Sequence, residues 1–347
     1  TVKPVGRTAL IGDDLWSAFS GTGIEFDFEG RQLAVTLIAD SASKEEGGEN
    51  LARAAVYING ERSLCAMLEK EQTRLEVINS TEPVRARVQV IKLSECAMST
   101  MGIAPLEADD GAVIKPAPAR EKKIEFIGDS ITCGYGVDDE DEKHSFKTST
   151  EDCTGAYAYK TAKALDADYS LVSISGYGII SGYTATGEAK IPEQTVPRYY
   201  KKLGFSYKAF ADKTAPQDMV WDFSQYTPDA VVINLGTNDD SYCLDYEDRQ
   251  RDYTDNYKLF LNTVREQNPG AYIFCTVGIM GTRIYKALET AVNEYKRESG
   301  DSKILSYCFT EQDHEHDGYA ADFHPTRKTH DKASAAIAAL IKETMGW

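Results

Sequence analysis

Four short segments carry groups suited to acyl transfer. Gly128-Asp129-Ser130 directly follows the apolar run 124–127. A serine at a strand-to-helix turn is lifted to the upper edge of a sheet, its hydroxyl exposed and its N–H turned toward an incoming carbonyl. Ser173-Ile174-Ser175-Gly176 closes a second apolar run. A glycine there lets the backbone approach a substrate closely and donate its N–H. Gly236-Thr237-Asn238-Asp239 closes a third run, and its Asn238 amide donates to the same oxygen. Asp322-Phe323-His324-Pro325 supplies an imidazole near the end of the chain. Together these give a nucleophile, a base and an oxyanion hole. Plainer readings stand beside them: Ser130 as a turn serine, Asn238 as a helix cap, and Gly178 as the rival to Gly176.

The elements that position these groups fall into two halves. Residues 24–30 alternate apolar and acidic side chains, and 33–39 follow after a glycine-containing turn. Residues 55–58 run into Asn59-Gly60, a pair that tolerates the positive φ of a hairpin turn. Residues 74–78 and 84–91 keep the two-residue period. Many short strands with turn signals predict an all-β sandwich or jelly roll over 1–110. The polar and proline-bearing stretch 111–122 reads as a linker. From residue 123 the rhythm is strand, loop, helix: strands at 124–127, 171–174, 230–235, 272–277 and 303–309, helices at 156–165, 247–267, 283–298 and 329–345. That alternation predicts an α/β domain over 123–347, a parallel sheet covered by helices on both faces. Ligands of such sheets bind beyond the carboxyl ends of the strands, where all four segments fall.

In this order and spacing the blocks Gly128-Asp129-Ser130, Gly176, Gly236-Thr237-Asn238-Asp239 and His324-Pro325 resemble the SGNH (GDSL-type) hydrolase superfamily, with its flavodoxin-like sheet. A β-rich domain ahead of Gly128-Asp129-Ser130-Ile131-Thr132-Cys133-Gly134-Tyr135-Gly136 resembles carbohydrate esterase family 2, two-domain acetyl esterases acting on plant cell-wall polysaccharides. The resemblance implies Ser130 as nucleophile and His324 as general base. It implies an oxyanion hole of Ser130 N–H, Gly176 and Asn238, and no metal or organic cofactor. Superfamily members place an aspartate three residues before the histidine. Here Ala321 holds that position, and Asp322 stands two before. Asp322 is therefore a candidate third member, against a Ser–His dyad whose imidazole is oriented by a backbone carbonyl. Aromatic residues line the cleft in the family, which makes Tyr183 and Phe323 candidates for substrate contact, with Met280 beside them. Each is equally able to serve packing.

Composition bounds these readings. The chain has 347 residues, 42% hydrophobic and 27% charged, enough to bury a large core without staples. Its net charge, 38 − 55 = −17, repels phosphate backbones and anionic lipid, so neither nucleic acid nor a membrane is an expected partner. No apolar run approaches the ~18 residues of a membrane span. The seven cysteines form no C-x-x-C pair. Cys133 and Cys153 flank one loop, and the sequence leaves their pairing open. Asp313-His314-Glu315-His316-Asp317 resembles a zinc grip but sits in a hydrophilic stretch and reads as a solvated loop. The acidic run 138–143 reads as a mobile solvated loop at the rim of the site. The chain begins at Thr1, from removal of an export signal or from trimming. With a polymeric substrate this makes a secreted or cell-surface location the expectation. The expected partner is an acetylated polysaccharide or oligosaccharide. The rivals are an SGNH esterase or lipase acting on other short-chain esters, a carbohydrate-binding protein, and a metal-dependent hydrolase built on His314 and His316.

Overall fold

The computed structural model describes residues 1–44 and 50–347. Ten strands build the N-terminal domain: β1 (Lys3–Val5), β2 (Thr8–Ile11), β3 (Asp14–Ser17), β4 (Gly23–Ala39), β5 (Arg53–Ile58), β6 (Glu61–Met67), β7 (Gln72–Lys92), β8 (Met101–Ile103), β9 (Glu107–Ala108) and β10 (Val113–Pro116). All pair antiparallel around the long β4–β7 ribbon. The alternation of β4 explains its placement. Phe26, Phe28, Val35 and Leu37 enter one core with Val56, Val88 and Val90, and Glu25 turns the other way to pair with Lys3 at 2.8 Å. Asn59 and Gly60 both have positive φ at the β5–β6 turn, as that hairpin demands.

Two expectations differ from the structure here. The runs 24–30 and 33–39 form one strand, because Gly30 and Gln32 flank a bulge where a turn was expected. The Asp109 carboxylate accepts the N–H groups of Arg31 and Gln32, each at 2.9 Å, so the interruption leaves neither donor unpaired. The stretch 111–122, read as a linker, contains β10, which pairs with β4 from Val113↔Glu29 to Pro116↔Phe26. Proline is tolerated at such a strand end because its missing N–H removes no essential ladder bond.

The C-terminal domain runs β11 (Lys122–Gly128), α1 (Ser130–Cys133), α2 (Tyr157–Ala164), β12 (Ala167–Ser173), β13 (Ala230–Asn234), α3 (Thr237–Cys243), α4 (Glu247–Gln267), β14 (Tyr272–Val277), α5 (Tyr285–Ser299), β15 (Ile304–Cys308), α6 (His314–Asp317) and α7 (Arg327–Met345). Its five strands are parallel in the order β12-β11-β13-β14-β15. Continuous apolar strands such as Ala230–Asn234 are buried throughout, as a doubly covered sheet requires. The β12-to-β13 connection, 174–229, carries several short 3-10 turns.

The two domains share cores. Trp16 and Phe19 of the first pack with Ile127, Val172 and Ile174 of the second. Arg7 is fully buried, donating to the carbonyls of Tyr200 and Lys202 and pairing with Glu125 at 3.1 Å. A buried guanidinium paired from the other domain ties the two together, because separation would leave its charge unpaired.

Candidate active site

Sheet order brings three of the sequence blocks together. Gly128 at the end of β11 is in register with Ser173 of β12 on one side and Asn234 of β13 on the other. The segments leaving these three adjacent strands carry Ser130, Gly176 and Asn238. Asp129 caps α1, its carboxylate accepting Ile131 N–H at 3.0 Å, and Ser130 is the first helical residue. A helix's first N–H groups have no intrahelical acceptor, and Ser130 N–H has no acceptor among the described residues.

His324 arrives from the segment before α7. Its Nε2 lies 2.9 Å from Ser130 Oγ. Its Nδ1 lies 3.1 Å from the backbone carbonyl oxygen of Asp322. A carbonyl only accepts, so Nδ1 carries the proton, and Nε2 presents a lone pair to the serine hydroxyl. Burial holds the imidazole down at about 4, against the upward pull of its bonds to the Asp322 and Ala321 backbone. The ring is therefore neutral across the physiological range.

The Asp322 carboxylate does not touch His324. It accepts the Tyr135 hydroxyl at 2.7 Å and Phe146 N–H at 2.9 Å. Asp322 and Phe323 both lie in the left-handed region, with φ 49° and 60°. That local turn swings the carboxylate away from the ring and the carbonyl toward it. Ala321, where the superfamily expectation puts an aspartate, is fully buried and so close to Gly136 that a Cβ on Gly136 would meet the Ala321 Cβ at 2.7 Å. Tyr135 also stacks on the imidazole, centroids 3.8 Å apart and planes 18° from parallel. The acidic run 138–143 is held at its first two residues: the Asp139 carbonyl accepts Ala321 N–H, and Asp138 pairs with Arg53 at 2.7 Å and with Arg327. Just beyond the run the His144 carbonyl accepts Asp322 N–H.

The two candidate glycines separate clearly. Gly176 has φ +79° and open space where a Cβ would stand, so conformation, not room, calls for glycine. Its N–H has no acceptor among the described residues, while its carbonyl accepts Tyr183 N–H at 2.9 Å. Gly178 is a packing position: a Cβ there would meet the Ser181 carbonyl oxygen at 2.3 Å. Asn238 Nδ2 donates to Tyr177 O at 3.0 Å and to Asp129 Oδ2 at 3.2 Å. The neighbouring Asp239 accepts the N–H groups of Ile179, Ile180 and Ser181, organising the loop that follows Gly176. Burial raises the Asp129 carboxyl to about 7 and Asp239 to about 6.

Tyr183 and Phe323 are 59% and 55% exposed, adjoining the glycine and histidine segments. Met280 is partly buried, packs against a core cluster and lies just beyond the end of β14. Cys133 and Cys153 are buried free thiols; Cys133 Sγ lies 3.2 Å from Ser173 Oγ and makes no disulfide. His314 and His316 have separate partners: His314 stacks on Tyr319, and His316 Nδ1 meets Asp313 at 2.7 Å. The roles of Tyr135 and Asp239 were missed in the sequence, although both residues fall inside blocks that were singled out.

A serine–histidine pair at the carboxyl edge of a parallel sheet, beside open backbone donors, defines a carboxylic ester hydrolase of SGNH type. The chain belongs to the GDSL-like Lipase/Acylhydrolase family, whose model matches residues 126–332. The Carbohydrate esterase 2 N-terminal model matches residues 4–118 ahead of it, so the chain is a member of carbohydrate esterase family 2. It is 30% identical to cellulase/esterase CelE of Acetivibrio thermocellus over 95% of this chain, and spans 38% of that relative's length. It is 27% identical to an acetylxylan esterase / glucomannan deacetylase of Cellvibrio japonicus, covering 100% of this chain and 89% of the relative. A family two carbohydrate esterase from Clostridium thermocellum, solved in complex with cellohexaose, superposes with a TM-score of 0.85 at 28% identity, over 100% of both chains.

Proposed function

We propose that this chain removes O-acetyl groups from plant cell-wall polysaccharides through an acetyl-enzyme on Ser130, with His324 as the base. The observation that carries the reading is the 2.9 Å contact between His324 Nε2 and Ser130 Oγ, on an imidazole whose other nitrogen is already engaged. Ser130 Oγ attacks the acetyl carbonyl as His324 takes its proton. The oxyanion accepts Ser130 N–H, Gly176 N–H and the Asn238 hydrogen that otherwise rests on Asp129 at 3.2 Å. The imidazolium then protonates the leaving sugar oxygen, and the carbon–oxygen bond breaks. Water enters, gives its proton to His324 and attacks the acetyl-serine. Acetate leaves as His324 returns the proton to Ser130 Oγ.

The substrate class rests on the relatives: one is named acetylxylan esterase / glucomannan deacetylase, and another was solved with cellohexaose. The exposed rings of Tyr183 and Phe323 supply flat apolar faces for sugar rings. Export to the polymer belongs to the same proposal. The test compares acetate release from acetylated xylan and acetylated glucomannan with hydrolysis of synthetic esters of increasing acyl length. Release from the polymers, with short acyl chains preferred, is expected. Activity on long acyl esters with none on either polymer contradicts the proposal and points to a lipase.

A further inference from the structure

The N-terminal domain reaches the edge of the oxyanion hole through one side chain. After β7 ends at Lys92, residues 93–97 are buried against the catalytic domain. There Glu95 Oε2 accepts the backbone N–H of Ser175 at 3.1 Å. Ser175 is the residue before Gly176. Glu95 is itself held at both ends: its N–H donates to Glu151 Oε2 at 2.6 Å, and its carbonyl accepts from Lys92 Nζ, which also donates to Ser94 O at 2.7 Å. One residue further on, Cys96 Sγ donates to the Ser173 carbonyl at 3.3 Å.

This is an expensive arrangement for mere packing. Lys92, Glu95 and Glu151 are 0%, 1% and 0% exposed, and an apolar trio of similar volume would fill the space without desolvating three ionisable groups. Burial pushes both carboxyls up and the ammonium down, and each is held by backbone groups: Lys92 Nζ by the Ser94 and Glu95 carbonyls, Glu95 by Ser175 N–H and Glu151 by Glu95 N–H. The glycine it serves has no side chain to anchor it and open space around its Cα, so its direction is set by the peptide units next to it.

We propose that Glu95 is a positioning residue of ester hydrolysis: by pinning the Ser175 backbone it aims Gly176 N–H at the developing oxyanion, which places part of the catalytic framework on the N-terminal domain. The inference rests on the reading of Gly176 as an oxyanion donor.

The test uses the full chain with Glu95→Ala and Glu95→Gln, assayed on an aryl acetate and for inhibition by a boronic acid that mimics the tetrahedral adduct. An oxyanion donor is worth about 10²–10³ in rate, and misaiming one donor loses part of that, so Glu95→Ala is expected to lower kcat about 10–100-fold with KM within about 3-fold. The boronate Ki rises in step. Glu95→Gln keeps an acceptor for Ser175 N–H and recovers kcat and Ki to within about 3-fold of wild type. Rates are expressed per Ser130 titrated by a phosphonylating agent, so a merely structural loss, which lowers the titrated fraction, leaves them unchanged. Unchanged kcat and Ki per titrated site in Glu95→Ala overturn the inference, as does a Glu95→Gln enzyme as poor as Glu95→Ala. Where Glu95→Ala fails to fold, Glu95→Asp, which withdraws the carboxyl by one methylene, is held to the same expectation. Ser130→Ala is run in parallel: its retained activity sinks the acetyl-enzyme reading itself, an outcome distinct from any Glu95 result.

Discussion

The backbone carbonyl of Asp322 accepts the hydrogen bond from His324 Nδ1 at 3.1 Å, while the carboxylate of the same residue bonds Tyr135 and Phe146. A left-handed backbone at Asp322 produces both contacts at once. The imidazole is thus oriented by a dipole that cannot titrate, and in the function proposed above Ser130 and His324 act as a dyad.

From this follows the behaviour of Asp322→Asn. Asparagine accepts the left-handed backbone readily, and its carbonyl still orients the ring. We expect kcat within about 10-fold of wild type, against the ~10⁴-fold loss that follows when a triad aspartate is neutralised. Thermal stability falls instead, because the charged acceptor of two hydrogen bonds is lost, a cost of about 1.5–3 kcal/mol. A loss of activity of a thousandfold, order-of-magnitude, measured on folded protein, argues that the carboxylate acts on the ring after all.

The pH profile reports the imidazole directly. His324 must be neutral to take the serine proton, and burial depresses it to about 4. Protonation is thus delayed as pH falls: activity persists through the range where a solvated imidazole would already be charged, and is lost as pH drops through about 4. The acid limb of kcat/KM is measured with a substrate that does not itself titrate. A limb at the ordinary imidazole value contradicts the burial argument.

Tyr135 stacks face to face on the imidazole and donates to Asp322. Tyr135→Phe keeps the stack and removes the donor, so we expect a change in kcat of less than about 5-fold. Tyr135→Ala removes both, frees the ring to rotate, and is expected to lower kcat about 10–100-fold, since small misplacements of a catalytic group are that costly. Equal effects of the two substitutions indicate that the hydroxyl, not the ring, does the positioning.

The exposed aromatic faces are separable from the chemistry. Tyr183→Ala and Phe323→Ala are each expected to raise KM for an acetylated oligosaccharide by about 3–10-fold, a contact of 0.5–1.5 kcal/mol. The rate on a small aryl acetate, which has no sugar to stack, stays within about 2-fold by the same argument. Parallel losses on both substrates assign these rings to the framework of the site.

Much of this was legible in the chain. The helix over 247–267 has the boundaries its pattern and the Asn-Pro-Gly stop imply, and the blocks carrying Ser130, Gly176 and Asn238 each follow a strand end, while His324 sits before α7. The parts that were not legible are non-local. Tyr135 meets Asp322 across 187 positions, and Glu95 meets Ser175 across 80, so no spacing rule joins them. The strand at Val113–Pro116 was masked by its proline and charged neighbours, which only an end-of-strand position tolerates. Asp322 lay two residues from the histidine, but its direction depended on a positive φ that a single sequence does not announce.

The most direct measurement is acetate release from acetylated xylan by wild type and Ser130→Ala, both with a chelator present. The account predicts unchanged release by the chelated wild type and a loss of at least about 10³-fold in the variant, with its fold intact. Release by Ser130→Ala at a wild-type-like rate, or loss of wild-type activity to the chelator, would contradict it.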